Sequence, residues 1–276
     1  VGLLYAPILP TGYKNYWPED IGNKTGANGV SRRNRTEPPD GRWDRRTDTA
    51  RGPSERMHHE AVLFDMDGVL VDSEHYWVER EERDILPWAV PDATVEPSEI
   101  TGMNYREIHD YLVAHYDVAV SKEAWVDRFD ETAAEIYTEH AALLPGFADW
   151  LPAAREDVPV AVVSSSPQHW IDLVRERFDL AFDARISAED IDAPGKPAPD
   201  IYEHAADVVG VEPDRCVAVE DSEHGIASAV AADCTCVGYV SGADDSLDHS
   251  AADHVVDSPG TLLATVDELL GRENRA

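Results

Sequence analysis

Two aspartates, Asp65 and Asp67, stand two residues apart at the end of an apolar run, Ala61-Val62-Leu63-Phe64, and Gly68 follows them. A carboxylate at the end of a buried strand can act as a nucleophile, and a second one beside it can give or take a proton. The glycine lets the backbone turn away at once. In an acidic chain an Asp-x-Asp pair is easily met as surface decoration, so the preceding apolar run is what favours chemistry.

Three more groups have the same placement. Val163-Ser164-Ser165-Ser166-Pro167 ends an apolar run over 158–163. Hydroxyls and free amides at a helix start suit an anion, although an ordinary helix cap needs the same residues. Pro194-Gly195-Lys196-Pro197 contains one of only two lysines after Met57, the other being Lys122. A chain that otherwise avoids lysine and sets one in a turn bounded by Gly and Pro has a use for it, such as neutralising a phosphate or holding a carboxylate. Val219-Glu220-Asp221-Ser222 ends a third run, over 216–219. With Asp65 and the Asp67 carbonyl, this acidic pair offers the all-oxygen ligand set that Mg²⁺ prefers.

The elements that must position these groups are strands alternating with helices. Runs at Ala61–Phe64, 158–163, 216–219 and 234–239 read as buried parallel strands. Helical segments at Gln168–Arg177, 199–209 and 222–232 lie between them, with Pro199 well suited to a helix start. This pattern predicts an α/β fold, a Rossmann-like doubly wound parallel sheet, whose site gathers at the carboxyl ends of the strands. Between Ser73 and Leu144 the strand pattern stops. Helices are expected near 74–86, 104–116 and 121–139, carrying Trp77, Tyr105, Tyr111, Trp125 and Tyr137. An aromatic stripe at helical spacing is ordinarily core. The predicted organisation is therefore a core domain of residues 57–73 and 145–276 with an inserted helical cap domain over 74–144.

In this order the four groups resemble the haloacid dehalogenase superfamily. Asp65-Met66-Asp67-Gly68-Val69-Leu70-Val71-Asp72-Ser73-Glu74 is similar to its first motif, Ser164 to its hydroxyl motif, Lys196 to its lysine motif and Glu220-Asp221-Ser222 to its acidic motif. The resemblance spans residues 61 to about 260. Where relatives end the following alanine-rich helix in Ala-Gly, this chain has Ala232-Asp233. Asp tolerates the left-handed conformation better than most residues. The resemblance implies an aspartyl-phosphate on Asp65 and an acid–base role for Asp67. It gives Ser164 and Lys196 the phosphoryl oxygens, with Ser165 a candidate substrate contact. It assigns Mg²⁺ to Asp65, Asp67, Glu220 and Asp221. Asp67 and the acidic pair argue against dehalogenation, and the lack of lysine between Asp65 and Lys122 argues against phosphonate cleavage through a Schiff base. The expected activity is a phosphatase acting on a small phosphorylated metabolite. A sugar-phosphate mutase resembling β-phosphoglucomutase is the alternative, and a non-enzymatic scaffold on the same fold is the reading from another class. Arg106 is a candidate for binding a distal substrate group, weighed against an ordinary solvated helix arginine.

Charge bounds the partners. Lys and Arg total 23 against 55 Asp and Glu, a net of −32. Such a surface repels nucleic acid and anionic membranes, and neither is an expected partner. No apolar run reaches the roughly 20 residues needed to span a bilayer. A cytoplasmic protein, monomeric or a small homo-oligomer, is expected. Residues 1–56 carry ten basic and seven acidic residues, or +3, which leaves −35 on the rest. That segment has no apolar period and is predicted to be disordered or a non-native extension. The acidic, lysine-poor remainder matches a halophilic type of surface. Cys216, Cys234 and Cys236 form no metal or disulfide spacing and are expected to be packing thiols.

Overall fold

The computed structural model describes residues 58–96, 99–100, 104–240 and 247–272. The expectations for residues 1–56, and Gly102 and Met103 ahead of Arg106, lie outside them. A six-stranded sheet runs in the order β3-β2-β1-β4-β5-β6, parallel throughout. Its strands are β1 (Ala61–Phe64), β2 (Val160–Ser164), β3 (Ala184–Ser187), β4 (Cys216–Glu220), β5 (Thr235–Tyr239) and β6 (His254–Val256). Every residue of β1, β2 and β4 is buried, so these strands read as unbroken apolar runs.

Alternation within each strand splits the core into two layers. Val62, Phe64, Val160, Val162, Val217 and Val219 pack on one face with Phe147, Leu151, Leu262 and Val266. The latter four come from α5 (Phe147–Ala154) and α9 (Pro259–Leu269). Ala61, Leu63, Ala161, Val163 and Ala218 point to the other face. They meet Ile201, Tyr202, Ile226 and Ala229 of α7 (Asp200–Val209) and α8 (Glu223–Ala231). The three cysteines are buried in that second layer as packing groups. Burial pushes the Cys216 and Cys234 thiols up to about 12, which keeps them protonated. At the end of α8, Asp233 takes the left-handed conformation, φ 64°.

The segment between β1 and α5 is helical, as its pattern predicts. It contains α1 (Glu74–Arg80), α2 (Leu86–Ala89), α3 (Tyr105–His115) and α4 (Lys122–Glu135). Two π-helical turns, Glu81–Ile85 and Ile136–His140, extend α1 and α4. Asn104 caps α3, accepting from the Arg106 amide while Glu107 accepts from the Asn104 amide. Trp125 and Phe129 of α4 and Leu112 of α3 fill the insertion's interior, and the Trp125 indole donates to the Tyr105 carbonyl at 2.7 Å. The chain enters and leaves side by side. Val71 bridges Leu143, and the Leu144 amide donates to the Leu70 carbonyl at 2.8 Å.

Candidate active site

The first turn of the site follows from Gly68. Asp65 extends β1, its amide donating to the Val219 carbonyl of β4 at 2.9 Å. The chain then folds back on itself through Gly68, φ +77°, with the Leu70 and Val71 amides donating hydrogen bonds to the Met66 carbonyl. A Cβ at Gly68 would overlap the Asp221 carboxylate. This position therefore demands glycine both for its backbone angle and for the closeness of the two acidic segments.

Asp65, Glu220 and Asp221 are buried, and one carboxylate oxygen of each lies within 4.8 Å of the others. Lys196 reaches between them. Its ammonium lies 2.6 Å from Asp65 Oδ1 and 2.6 Å from Glu220 Oε1, with its side chain only 7% exposed. Glu220 is fixed further by Tyr202, whose hydroxyl donates to Oε1 at 2.5 Å. Gly225 of α8 leaves room for the Glu220 carboxylate, which any Cβ there would strike. Three buried carboxylates thus face a single ammonium, a shortfall of two positive charges when all are ionised.

That shortfall shows in the proton affinities. Burial pushes the Asp65 carboxyl well above its ordinary range; Lys196 pulls it down and Glu220 pushes it up. Burial also raises Asp221, reinforced by the charges of Glu74, Asp65 and Glu220. Burial opposes the charge on Lys196, yet Asp65 and Glu220 together raise its pKa. Oδ2 of Asp221 is buried without a hydrogen-bond partner among the described residues. An orphaned buried carboxylate oxygen beside two further carboxylates, with oxygen donors only, fits a hard divalent cation.

Asp67 is held differently. Its Oδ1 accepts from Ser73 Oγ at 2.5 Å and from the Tyr137 hydroxyl at 2.7 Å, and its Oδ2 accepts from Ser166 Oγ at 2.9 Å. The Asp67 carboxylate is thereby engaged apart from the three-carboxylate cluster. Ser164, buried at the end of β2, accepts from the Ser166 amide at 3.0 Å, and Ser165 beside it is exposed. Arg106 of α3 pairs with Glu189, just after β3, at 2.6 Å. Sequence reasoning did not single out Ser73, Ser166, Tyr137 and Tyr202. Ser73 and Ser166 stand inside the quoted motifs and were within reach. The two tyrosines carry the signal of core residues.

A family model for haloacid dehalogenase-like hydrolases matches residues 59–233, and the chain belongs to that family. Hexitol phosphatase B of Escherichia coli (strain K12) is 34% identical over 187 residues, 62% of this chain and 79% of that protein. The phosphorylated carbohydrates phosphatase of Thermotoga maritima is 30% identical over 176 residues, 63% of this chain and 81% of that protein. Among solved structures, CbbY from Rhodobacter sphaeroides in complex with phosphate matches with a TM-score of 0.65 and 25% identity, covering 76% of this chain and 99% of that one. The chain is a hydrolase of the phosphoric monoester type. Among the described residues, no helix is long and apolar enough to cross a membrane.

Proposed function

We propose that the protein removes phosphate from a small phosphorylated carbohydrate or related metabolite through an aspartyl-phosphate on Asp65, with Mg²⁺ as cofactor. The observation that carries this reading is the Asp65–Lys196–Glu220 cluster at the carboxyl ends of the central strands, beside the unpartnered Asp221 oxygen. The named relatives, phosphatases of hexitol and carbohydrate phosphates, supply the substrate class.

In the first step an Asp65 carboxylate oxygen bonds to phosphorus while the ester P–O bond breaks. The departing oxygen takes a proton from Asp67. In the second step water attacks the phosphorus of the aspartyl-phosphate, Asp67 accepts its proton, and inorganic phosphate leaves the restored Asp65 carboxylate. Lys196 keeps Asp65 oriented, and with Ser164 it holds phosphoryl oxygens. Mg²⁺, when bound, offsets the negative charge of phosphate and carboxylate, and Asp65, Glu220, Asp221 and the Asp67 carbonyl are the groups that would hold it. Residues 74–144 act as the cap over this site, with Ser165 and Arg106 as substrate contacts.

The test is release of inorganic phosphate from p-nitrophenyl phosphate and a panel of sugar and sugar-alcohol phosphates, with Mg²⁺ or EDTA. Asp65→Asn, folded, is expected to lose turnover entirely. Near-normal rates in that variant, or full activity in EDTA, refute the mechanism. Conversion of β-glucose 1-phosphate to the 6-phosphate without phosphate release would move the reading to a mutase.

A further inference from the structure

Tyr137 lies in the π-helical turn that closes α4, 70 positions from the residue it touches. It is completely buried and continues the apolar stripe of Trp125, Phe129 and Ala133. A phenylalanine would fill the same stripe, so the hydroxyl is what calls for a reason, since a buried hydroxyl is costly unless bonded. The Trp77 indole donates to the Tyr137 oxygen at 3.2 Å. Indole N–H is only ever a donor, so the phenol spends a lone pair on Trp77 and turns its own proton toward Asp67 Oδ1, 2.7 Å away. Arg177 of α6 (Gln168–Arg177) holds the same turn from the core, donating to the Tyr137 carbonyl at 2.7 Å. The π turn, the Arg177 bond to its backbone and the Trp77 bond to the phenol all serve one contact.

We propose that Tyr137 is a positioning residue that holds the Asp67 carboxylate by Oδ1 and leaves Oδ2 as the oxygen that gives and takes the proton. Oδ1 already accepts two hydrogen bonds, from Ser73 and Tyr137. Trp77 holds the Tyr137 phenol as a donor, so one lone pair of Oδ1 stays occupied whatever the rotation of Ser73, and this favours the proton on Oδ2. The partner of Oδ2 is Ser166, whose hydroxyl can rotate from donor to acceptor. Ser166 stands two residues after Ser164, so Oδ2 is the oxygen on the phosphate-binding side. This inference rests on Asp67 being the proton donor to the leaving group.

The test compares kcat/KM for p-nitrophenyl phosphate, whose leaving group needs little protonation, with benzyl phosphate, whose alkoxide needs it. Positioned proton transfer contributes typically ~10²–10⁴-fold. In Tyr137→Phe we expect kcat/KM for benzyl phosphate to fall about tenfold or more, with a change of less than about threefold for p-nitrophenyl phosphate. Trp77→Phe, which frees the phenol to turn, should show the same selectivity in weaker form and serves if Tyr137→Phe folds poorly. Asp67→Asn is the control. If Asp67→Asn spares both esters equally, the acid role of Asp67 fails, and with it the basis of this inference. If Asp67→Asn is selective for benzyl phosphate while the Tyr137 and Trp77 variants slow both esters alike or neither, the inference about Tyr137 alone is overturned.

Discussion

Replacing Lys196 by methionine removes the one cation of the buried cluster while keeping a stem of similar length. In the folded protein the ammonium sits 2.6 Å from both Asp65 and Glu220, and the three side chains are 7%, 10% and 0% exposed. Removing one partner of a buried ion pair costs roughly 3–5 kcal/mol, because the remaining charge has neither water nor counter-ion. Here two carboxylates are stranded, so the upper end applies. For a domain of this size about 2–4 °C of melting temperature follows each kcal/mol, so a fall of roughly 10–20 °C is expected. The pH dependence has a definite sign. Asp65 is already raised by burial, and without Lys196 it rises further, so its folded pKa stands above the unfolded value near 3.9. Such a group destabilises the fold as pH climbs and is harmless once protonated. The loss should therefore be largest near pH 8 and shrink toward pH 5. Thermal or urea melts in EDTA measure it. Adding Glu220→Gln to Lys196→Met should return part of the loss, since one stranded charge is gone. A loss below about 1 kcal/mol, or one equal at pH 5 and pH 8, would refute the claim that this ammonium carries the cluster.

Asp65 and Asp221 are both raised by burial, so protons compete with a cation for them; Mg²⁺ should raise the melting temperature more at pH 8 than at pH 5, and Asp221→Asn should abolish that gain. Glu81, in the first π turn, is pushed up to about 7 by burial and then by Glu82, so it costs the fold stability as pH rises through 7. Glu81→Gln should melt higher than the parent at pH 8, with the gap shrinking below pH 7 and gone near pH 4, and a difference as large at pH 4 as at pH 8 refutes the assignment. The −35 carried by residues after position 56 repels a dianionic ester at low ionic strength, so kcat/KM should increase with KCl, more steeply for a sugar bisphosphate than for a monophosphate. A decrease with salt in protein shown to be folded by circular dichroism contradicts it.

The central strands were legible because parallel strands buried on both faces must be apolar throughout, and β1, β2, β4 and β5 fall where their runs predict, within two residues. The edge strands were not. β3 reads Ala-Arg-Ile-Ser and β6 reads His-Val-Val, each with its leading residues partly open to solvent, so neither forms a run. The cluster was legible for a related reason: Asp65, Glu220 and Asp221 are charged residues set where apolar strands end, and Lys196 is a rare lysine in a Gly-Pro turn. The support around them was hidden. Tyr137 and Tyr202 sit in the phase of buried helix positions, and periodicity reports only that such a residue is inside. Which buried phenol meets which carboxylate depends on contacts 70 and 18 residues apart in the chain. The charge that marks Arg106 in the sequence is what Glu189 takes up in the fold.

The two tyrosines divide the work of the site in a way that its charges require. Asp65, Glu220 and Asp221 repel one another, and Lys196 alone leaves them under-compensated. Full compensation by a second lysine would stabilise the empty fold, but it would also remove the attraction for a divalent cation. Under the proposed Mg²⁺ role the shortfall serves the site, and its cost falls on β1 and β4, the innermost strands, where distortion is most strongly resisted by packing on both faces. Tyr202 and the bare Gly225 keep Glu220 from relaxing out of this arrangement, since the carboxylate is bonded on one side and fitted into a helix on the other. In the proposed mechanism Asp67 has the opposite need, because there it exchanges a proton on each step. Among the described residues its side-chain partners are neutral donors, Ser73, Ser166 and Tyr137, which fix its direction. In the proposed mechanism, salt links position the carboxylate that attacks phosphorus, and hydroxyls position the carboxylate that moves the proton.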